Sequence, residues 1–157
     1  MNEHNIEIDL HHCGIYNNLE SFLVYFDQTN DVDKCFVYSS MFDIPSLCEY
    51  FISYCANVNE KVEIGNTSII IAAFYNNIET AEPLLSYCAN VNKKDKYGKT
   101  ALQRASEDDN IETVVLLLSY GANVNEKDKY GKTALQRASE DDNIETAVLL
   151  LSYDANE

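Results

Sequence analysis

Basic residues, glycine and histidine are all scarce in this chain, and each shortage argues against a class of function. The 157 residues carry 11 basic and 26 acidic side chains, a formal net charge of −15. Because an acidic surface repels phosphate backbones, we expect no nucleic-acid partner. The five glycines form neither a GxxxxGK[ST] nor a GxGxxG pattern, so the sequence has no recognisable phosphate-binding loop.

Long apolar runs and paired cysteines are also missing. No window reaches the roughly 18–20 uninterrupted apolar residues of a membrane span. The first nine residues are polar and acidic, so we expect no secretory signal there. Five cysteines without a CxxC pair favour reduced thiols. We therefore expect an intracellular, cytoplasmic protein.

Residues suited to catalysis or metal binding are concentrated at the N-terminus. All three histidines lie in the first 12 residues, and His11, His12 and Cys13 with His4 suggest a metal site. However, adjacent residues on a helix point about 100° apart and converge poorly on one ion. No cysteine farther along the chain has a histidine base beside it, and we interpret the neighbouring acids Glu107 and Asp108 as a solvated helix end. We therefore expect no enzyme activity, no metal and no cofactor.

The clearest positive feature is a nearly perfect internal repeat. Residues 91–123 and 124–156 align without a gap, and 30 of the 33 aligned pairs are identical. A fixed period of this length predicts a solenoid, in which each unit buries its apolar face against its neighbours. The three differences are Lys93/Glu126, Val114/Ala147 and Gly121/Asp154.

The same frame continues toward the N-terminus. In residues 58–90, Gly65 falls on Gly98 and Thr67 on Thr100. The repeat before residue 58 keeps only the later part of the pattern. A divergent front unit precedes it, in which the segment that starts at Tyr16 aligns with the segment that starts at Tyr75. We predict one continuous solenoid, with a capping unit at 1–33 and four repeats at 34–61, 62–94, 95–127 and 128–157.

Each unit reads as two helices and a loop, as the third unit illustrates. Thr100 is the predicted N-cap of a first helix that ends at Glu107. The segment 108–110 interrupts the pattern and is predicted to cap the second helix. Gly121 is the predicted left-handed residue after that helix. Residues 127–131 are predicted to form an exposed reverse turn in which Gly131 has positive φ.

These residues resemble the ankyrin-repeat family. The family's D-K-x-G-x-T-P-L-H-x-A-A opening stands at 95–106 as D-K-Y-G-K-T-A-L-Q-R-A-S, and its L-L-L-x-x-G-A-D-V-N close stands at 116–125. The match covers 34–157 well and 8–33 weakly. The asparagine-rich loops and divergent front resemble the large ankyrin families of parasitic protists. The resemblance implies an all-α solenoid of helix–turn–helix units with short hairpin fingers, which binds other proteins without catalysis.

Several positions depart from the family pattern. Gln103 and Gln136 replace its histidine, so we expect an altered hydrogen-bond network. Pro83 lies inside a predicted second helix, where proline costs roughly 3 kcal/mol and kinks the helix. We therefore predict that the unit at 62–94 is the weakest. Other residues replace the left-handed glycine, at about 1 kcal/mol each if the conformation is kept: Cys55, Cys88 and Asp154.

Partners of the family lie against the finger tips and the first helices. Exposed tyrosine beside lysine suits such a surface, because tyrosine buries much area and keeps a hydroxyl for bonding. Packing of one finger on the next is the alternative role for Tyr97 and Tyr130. Carried over position by position, the resemblance implies this partner-binding set: Phe74, Tyr75, Lys96, Tyr97, Lys99, Glu107, Asp108, Lys129, Tyr130, Lys132, Glu140 and Asp141.

The predicted surface is graded along the chain. Met41 and Phe42 are predicted to join Phe74 and Tyr75 in an aromatic half that provides affinity. The later units present lysine finger tips above a row of acidic residues, and we expect this charged half to orient the partner. An acidic membrane surface is the alternative target of the lysines, but the acidic row beside them argues against it.

The last unit has no sign of a cap. Terminal solenoid units need polar outer faces, yet residues 147–151 copy an internal unit almost unchanged. We expect apolar surface to remain open at this end. The alternative function is therefore a structural, self-associating solenoid that stacks through its C-terminal repeat.

Overall fold

The computed structural model describes residues 9–153, and within them ten α-helices follow one another in five pairs. The turns that join the helices contain no β-strand in this range. Every helix is short, from 6 to 11 residues. The helices are α1 Leu10–Ile15, α2 Leu19–Thr29, α3 Val32–Ser39, α4 Pro45–Ser53, α5 Ser68–Phe74, α6 Ile78–Ser86, α7 Ala101–Glu107, α8 Ile111–Ser119, α9 Ala134–Glu140 and α10 Ile144–Ser152.

The helices stack in two rows. The first helices α1, α3, α5, α7 and α9 contact one another in order, and the second helices α4, α6, α8 and α10 do the same. At the front, α2 packs on α4 through aromatic rings, with the Phe22 and Phe51 centroids 6.1 Å apart. This arrangement confirms the predicted all-α stack of helix–turn–helix units.

One continuous core runs through the stack, because the same position of each unit is buried. Alanines in the first helices allow close helix approach, and leucines in the second helices fill the space between units. These side chains are fully buried: Ala72, Ala105, Ala138, Leu84, Leu117 and Leu150. Cys13 is buried too, at the small position that the repeat frame assigns to it.

The first helices of the last two units begin with a capping box. The Thr100 hydroxyl accepts from the Gln103 N–H at 3.3 Å, and Gln103 Oε1 accepts from the Thr100 N–H at 2.8 Å. The predicted N-cap is therefore confirmed. Thr67 is the equivalent of Thr100 in the second repeat, but it makes no cap bond, and Ile70 stands where glutamine is needed. The buried hydroxyl of Thr67 has no hydrogen-bond partner among the described residues.

A left-handed residue follows each of the helices α1 to α9. Gly121 has φ of 81°, as predicted, and Cys55 and Cys88 keep the same conformation at 63° and 65°. Asp154, the third replacement, lies outside the described residues. The turns inside the units use asparagine or aspartate, the side chains that tolerate this region best: Asn17, Asp43, Asn76, Asp109 and Asp142.

Pro83 does not end its helix. Helix α6 runs from Ile78 to Ser86 across the proline. The missing N–H still removes one helix bond, and the same unit lacks the Thr67 cap bond. The weakness of this unit therefore stays a prediction, now with two local causes.

Asparagine and threonine side chains at the start of the second helices bond across unit boundaries. Asn143 Nδ2 donates to the Ser106 carbonyl at 2.9 Å, and Thr146 Oγ1 donates to Asp109 Oδ1 at 2.6 Å. The same two bonds recur one unit and two units earlier. The predicted cap role of the 108–110 segment is therefore wrong in one respect, because Asn110 Nδ2 reaches the preceding unit and its side chain makes no cap bond.

Gln103 also bridges two units. Its Nε2 donates to the Lys132 carbonyl of the next unit at 2.7 Å and to the Glu126 carbonyl, in the tail of its own unit, at 3.1 Å. Gln136 keeps the cap bond to Thr133 but makes no equivalent bridge within the described residues. The expected change of the family's network is thus a glutamine bridge in place of a histidine.

The fingers are tight turns that contact one another through the backbone. Gly98 has φ of 76°, and the Lys129 N–H of the next finger donates to the Tyr97 carbonyl at 3.0 Å. A Cβ on Gly98 would lie 2.9 Å from the Lys129 nitrogen. Gly131 has nearly the same φ, 75°, but nothing lies within 4 Å of its Cβ position.

We predict that Gly98→Ala destabilises the chain more than Gly131→Ala. Both substitutions carry the strain of positive φ, about 1 kcal/mol. Only the first also pushes the next finger away. Denaturant unfolding of the two variants beside the native chain measures the difference, and equal losses would contradict the finger-to-finger contact.

We also predict that Gln103→Leu costs more than Gln136→Leu. The first variant loses the cap and the bonds to the Glu126 and Lys132 carbonyls, about 1–3 kcal/mol in total, whereas the second loses the cap alone, about 0.5–1.5 kcal/mol. Thermal and denaturant unfolding provide the comparison. Equal losses for the two variants would show that the cap, not the bridge, provides most of the stabilisation.

Candidate functional site

The predicted partner-binding residues lie where fingers meet first helices. Lys99 Nζ in a finger contacts Glu107 Oε1 at the end of α7 at 2.5 Å, and Lys132 Nζ contacts Glu140 Oε1 at the end of α9 at the same distance. The structure therefore brings the finger and helix members of the set together. These four side chains are ion-paired with each other, so they present less net charge than the sequence suggested.

A buried aspartate holds each of the last two fingers on its helix. Asp128 Oδ1 accepts from the backbone N–H groups of Tyr130 and Lys132 at 2.8 and 3.0 Å, and its Oδ2 accepts from Arg137 Nε at 2.9 Å. Asp95 accepts likewise from the Tyr97 and Lys99 N–H groups of its own finger, and its Oδ2 accepts from Arg104 Nη2. The predicted exposed turn is therefore confirmed except at Asp128, which is buried because it bonds inward.

The arginines connect the ion pairs into a chain. Arg104 lies 3.9 Å from Glu107 in its own helix, and Arg137 reaches back to Glu107 at 3.4 Å from the next unit. Arg137 also lies 3.8 Å from Glu140. The charged half of the predicted surface is thus a connected network of ion pairs. Lys99 and Lys132 belong to this network, and Tyr97 and Tyr130 lie beside its arginines.

The finger tyrosines are exposed above this network. Tyr97 is 42% exposed, with Lys96 Nζ 4.9 Å from its ring centroid. Tyr130 is 70% exposed, with the Arg137 guanidinium carbon 5.6 Å from its ring centroid. Each exposed ring therefore lies close to a cation. Packing of one finger on the next stays the alternative role for Tyr97 and Tyr130.

The aromatic half surrounds a groove beside α5. Phe74 and Tyr75 are both exposed, and their ring centroids are 5.0 Å apart. The Arg104 guanidinium carbon lies 5.9 Å from the Phe74 ring centroid. The groove has a volume of about 160 Å³, and its lining includes Tyr38, Met41, Ile64, Phe74, Tyr75 and Arg104.

The prediction that Phe42 and Met41 extend this aromatic stretch is wrong. Phe42 is buried, with its ring centroid 5.0 Å from that of Phe22 in α2, so it belongs to the core. Met41 is buried against Gly14, where it forms part of the groove wall. The divergent front unit packs over both side chains, which leaves them unavailable as exposed binding residues.

Sequence reasoning missed one position of the surface. Tyr38, Arg104 and Arg137 occupy the same place in the first, third and fourth repeats, three residues before Met41, Glu107 and Glu140, and Ile71 holds this place in the second repeat. Tyr38 donates to Glu63 Oε2 at 3.1 Å, and Glu63 also pairs with Lys34 at 2.8 Å. The 33-residue frame could have revealed this position, because it aligns the two arginines with each other. Asp95 and Asp128 in the fingers are their partners.

Acidic residues that remain outside the ion pairs lie beside the helix ends. Asp108 and Asp141 are exposed. Partial desolvation raises the pKa of Asp108, with the neighbouring Asp141 carboxylate adding to this effect and Arg104 opposing it. Glu107 is occupied by Lys99 and Arg137. Glu107 is therefore held by cations, whereas Asp108 remains exposed beside it.

The described members of the front cluster are His11, His12 and Cys13. Cys13 is buried, and His12 Nδ1 contacts Asp9 Oδ2 at 2.5 Å. Within residues 9–153, no three histidine, cysteine or acidic side chains are grouped to hold a metal ion. His4, the further candidate ligand, lies outside the described residues. All five cysteines are free thiols.

Comparisons with known proteins identify the repeats. The family model for ankyrin repeats, which spans three copies, matches residues 36–128 and 84–157. A comparison with curated proteins finds no significant match. No helix in the described part of the chain is long and apolar enough to cross a membrane.

We predict a specific acid sensitivity at Asp128. Burial alone would raise its pKa, but hydrogen bonds from the Lys132 N–H, Arg137 and the Tyr130 N–H outweigh it, so the pKa lies below its ordinary value of 3.8. Because the folded pKa is lowered, the stabilisation is present above pH 3.8 and is lost as pH falls through the folded pKa.

Asp128→Asn is therefore expected to cost about 1–3 kcal/mol at pH 7, as for a buried group left unpaired, and less in acid. Urea unfolding at pH 7 and at successively lower pH measures the effect. Asp27→Asn, at an exposed position of α2, is the matched control. A loss that stays constant down to the lowest pH would contradict the assignment.

Proposed function

The chain belongs to the ankyrin-repeat family, and we propose that it is a non-catalytic module that binds a protein partner through its finger tips and inner helices. Ankyrin repeats are generally protein–protein interaction modules. The observation that carries the proposal is the row of exposed aromatic rings along this surface, formed by Phe74, Tyr97 and Tyr130. Rings of this kind are the side chains most often found at the energetic centre of interfaces.

The aromatic half is the proposed source of affinity. The groove beside Phe74 and Tyr75 offers apolar walls and the Arg104 guanidinium at one edge. A partner side chain placed there would bury apolar area on several sides, which a flat surface does not allow. Since the groove walls belong to successive units, their spacing is fixed by the solenoid and costs little ordering on binding.

The charged half is the proposed source of orientation. Exposed Lys96 and Lys129 are one unit apart, and so are exposed Asp108 and Asp141. A partner with charges in the complementary order would be steered into one register. The paired acids and the net charge of −15 favour a protein over nucleic acid or an acidic membrane. A cytoplasmic location stays a prediction.

A second candidate function is self-association, which one observation favours. Leu151 is 49% exposed, whereas its internal counterpart Leu118 is 8% exposed. Ile144 and Val148 are exposed on the same helix. These three side chains form an open apolar strip on the C-terminal unit, in which Leu151 is the member whose internal counterpart is covered. Val115, the internal counterpart of Val148, is 43% exposed.

The test of partner binding compares three full-length baits in lysate of the source cell. One is the native chain, and one carries Phe74→Ala, Tyr97→Ala and Tyr130→Ala. The control carries Tyr54→Ala and Tyr87→Ala, exposed rings at the ends of second helices. Lys99 and Lys132 are left intact, because their removal would take the lysine partner from Glu107 and from Glu140.

We expect the native and control baits to capture the same partner and the triple variant to lose it at least 10-fold. Titration of the purified partner should then show about 1 kcal/mol or more for each ring that is a true contact. Circular dichroism must show equal helicity for all baits. Equal recovery by the triple variant would contradict this site, and loss by the control variant would move it to the second helices.

A further inference from the structure

The internal junction between units has two complementary halves. The later unit supplies donors from its second helix, as Asn143 and Thr146 do. The earlier unit supplies acceptors, here the Ser106 carbonyl and the Asp109 carboxylate. Every described junction from α3/α4 onward is made in this direction.

The C-terminal face carries the acceptor half without a donor. Ser139 and Asp142 stand where Ser106 and Asp109 stand one unit earlier, and the sequence around them is nearly identical. Within residues 9–153, no side chain donates to the Ser139 carbonyl or to Asp142. Beside them lies the open strip of Ile144, Val148 and Leu151.

The N-terminal face carries the donor half without an acceptor. Asn18 and Ser21 open α2 as Asn77 and Thr80 open α6. Asn18 Oδ1 accepts from the Ser21 N–H at 3.0 Å, which leaves the Asn18 amide N–H groups and the Ser21 hydroxyl as donors. No earlier unit precedes them in the described residues.

Apolar surface accompanies these donors. Val24 is 42% exposed and falls, by the repeat frame, on the position of Leu116. Leu116 is partly buried against the core in its own unit. The front face thus offers an aliphatic side chain and two donors on one helix, at the spacing that internal units use.

From these two faces we infer that the chain stacks head to tail on a second copy of itself, with α2 of one copy seated on the C-terminal face of the next. This inference rests on the self-association candidate and specifies its geometry. The Asn18 amide and the Ser21 hydroxyl take the places of Asn143 and Thr146, and donate to Ser139 and Asp142 of the other copy.

A two-fold contact between two C-terminal faces is the competing arrangement. It would place acceptors against acceptors, and it would bring Asp141, Asp142 and Glu145 of one copy toward the same acids of the other. Like charges at such a contact are repulsive. The head-to-tail contact is heterologous, so each copy keeps one face open and the assembly grows linearly. Each chain carries a net charge of −15, so two copies repel each other. Added salt screens this repulsion and should therefore strengthen the head-to-tail contact.

The test uses two full-length variants that each block one face. Val24→Glu places a charge on the front face, and Leu151→Glu places one on the C-terminal face; both positions are exposed, so the fold is retained. Sedimentation velocity over a range of concentrations gives the size of each variant, of the native chain and of an equimolar mixture. Circular dichroism checks that helicity is unchanged.

We expect the native chain to form oligomers that grow with concentration, each variant alone to be monomeric, and the mixture to form a one-to-one dimer. A dimer formed by Val24→Glu alone would overturn the inference in favour of the two-fold contact. A native chain or a mixture that remains monomeric at the highest concentration would also overturn it.

A third variant, Asp142→Gly, tests the hydrogen bond without adding charge, because glycine accepts the φ of 58° found there. We expect it to raise the dissociation constant of the native contact about 5-fold or more, and an unchanged constant would overturn the assigned junction. The bait with altered Phe74, Tyr97 and Tyr130 leaves both faces intact. If it still self-associates while partner capture is lost, the two proposals are shown to be separate.

Discussion

Hydrogen bonds that cross from each unit to the one before it are the constraint on which this fold depends. Helices of 6 to 11 residues are too short to persist alone in water, so each must gain its stability from a neighbour. Asn143 and Thr146 show how this is achieved, since they contribute their side chains to the preceding unit. Such bonds have a direction, and a directional junction leaves donors at one end of the stack and acceptors at the other.

The same positions carry different chemistry along the stack, and this difference produces the graded surface. In the last two units the finger is held by Asp95 and Arg104 or their counterparts. One unit earlier, buried Val62 and Ile71 occupy these two positions. An apolar pair and an ion pair can serve a similar structural purpose, because a buried ion pair gains little net stability over a hydrophobic one. The exchange changes the charge that a partner meets while the backbone stays the same.

The sequence predicted the features that depend on local pattern. The period of 33 predicted the stack, Thr100 predicted a helix start, and Gly121 predicted a left-handed end, because each follows from residue type and spacing. It did not predict features that depend on contacts between units. Asn110 is the N-cap residue that its position predicts, but its side chain donates to the Ala73 carbonyl of the preceding unit and makes no cap bond. Phe42 looks like part of an exposed stretch, but Phe22 of the divergent front unit covers it.

The charged positions show the same limit for the candidate site. Lys99 and Glu107 are eight residues apart, and only the fold of the finger onto α7 makes them partners. Residue type alone therefore overstated the charge that this surface presents to a partner. Exposure of Tyr97 and Tyr130 followed from the position of the turn, and was better anticipated because the turn is a local feature.

Head-to-tail stacking would extend the proposed binding surface, because the columns of side chains run along the stack axis. In the internal junction, Arg137 of one unit reaches Glu107 of the unit before it at 3.4 Å. By the repeat frame, the corresponding residue of a following copy is His12, and the corresponding acid is Glu140. A second copy would thus carry the inner row of first helices onward without a break in register. Two copies would then present two partner-binding surfaces on one rigid stack. A partner bound at the first surface meets the second at a high effective concentration, so its overall affinity rises without any new contact. Assembly and partner binding, although they use different faces, would then reinforce each other through the regular spacing of the units.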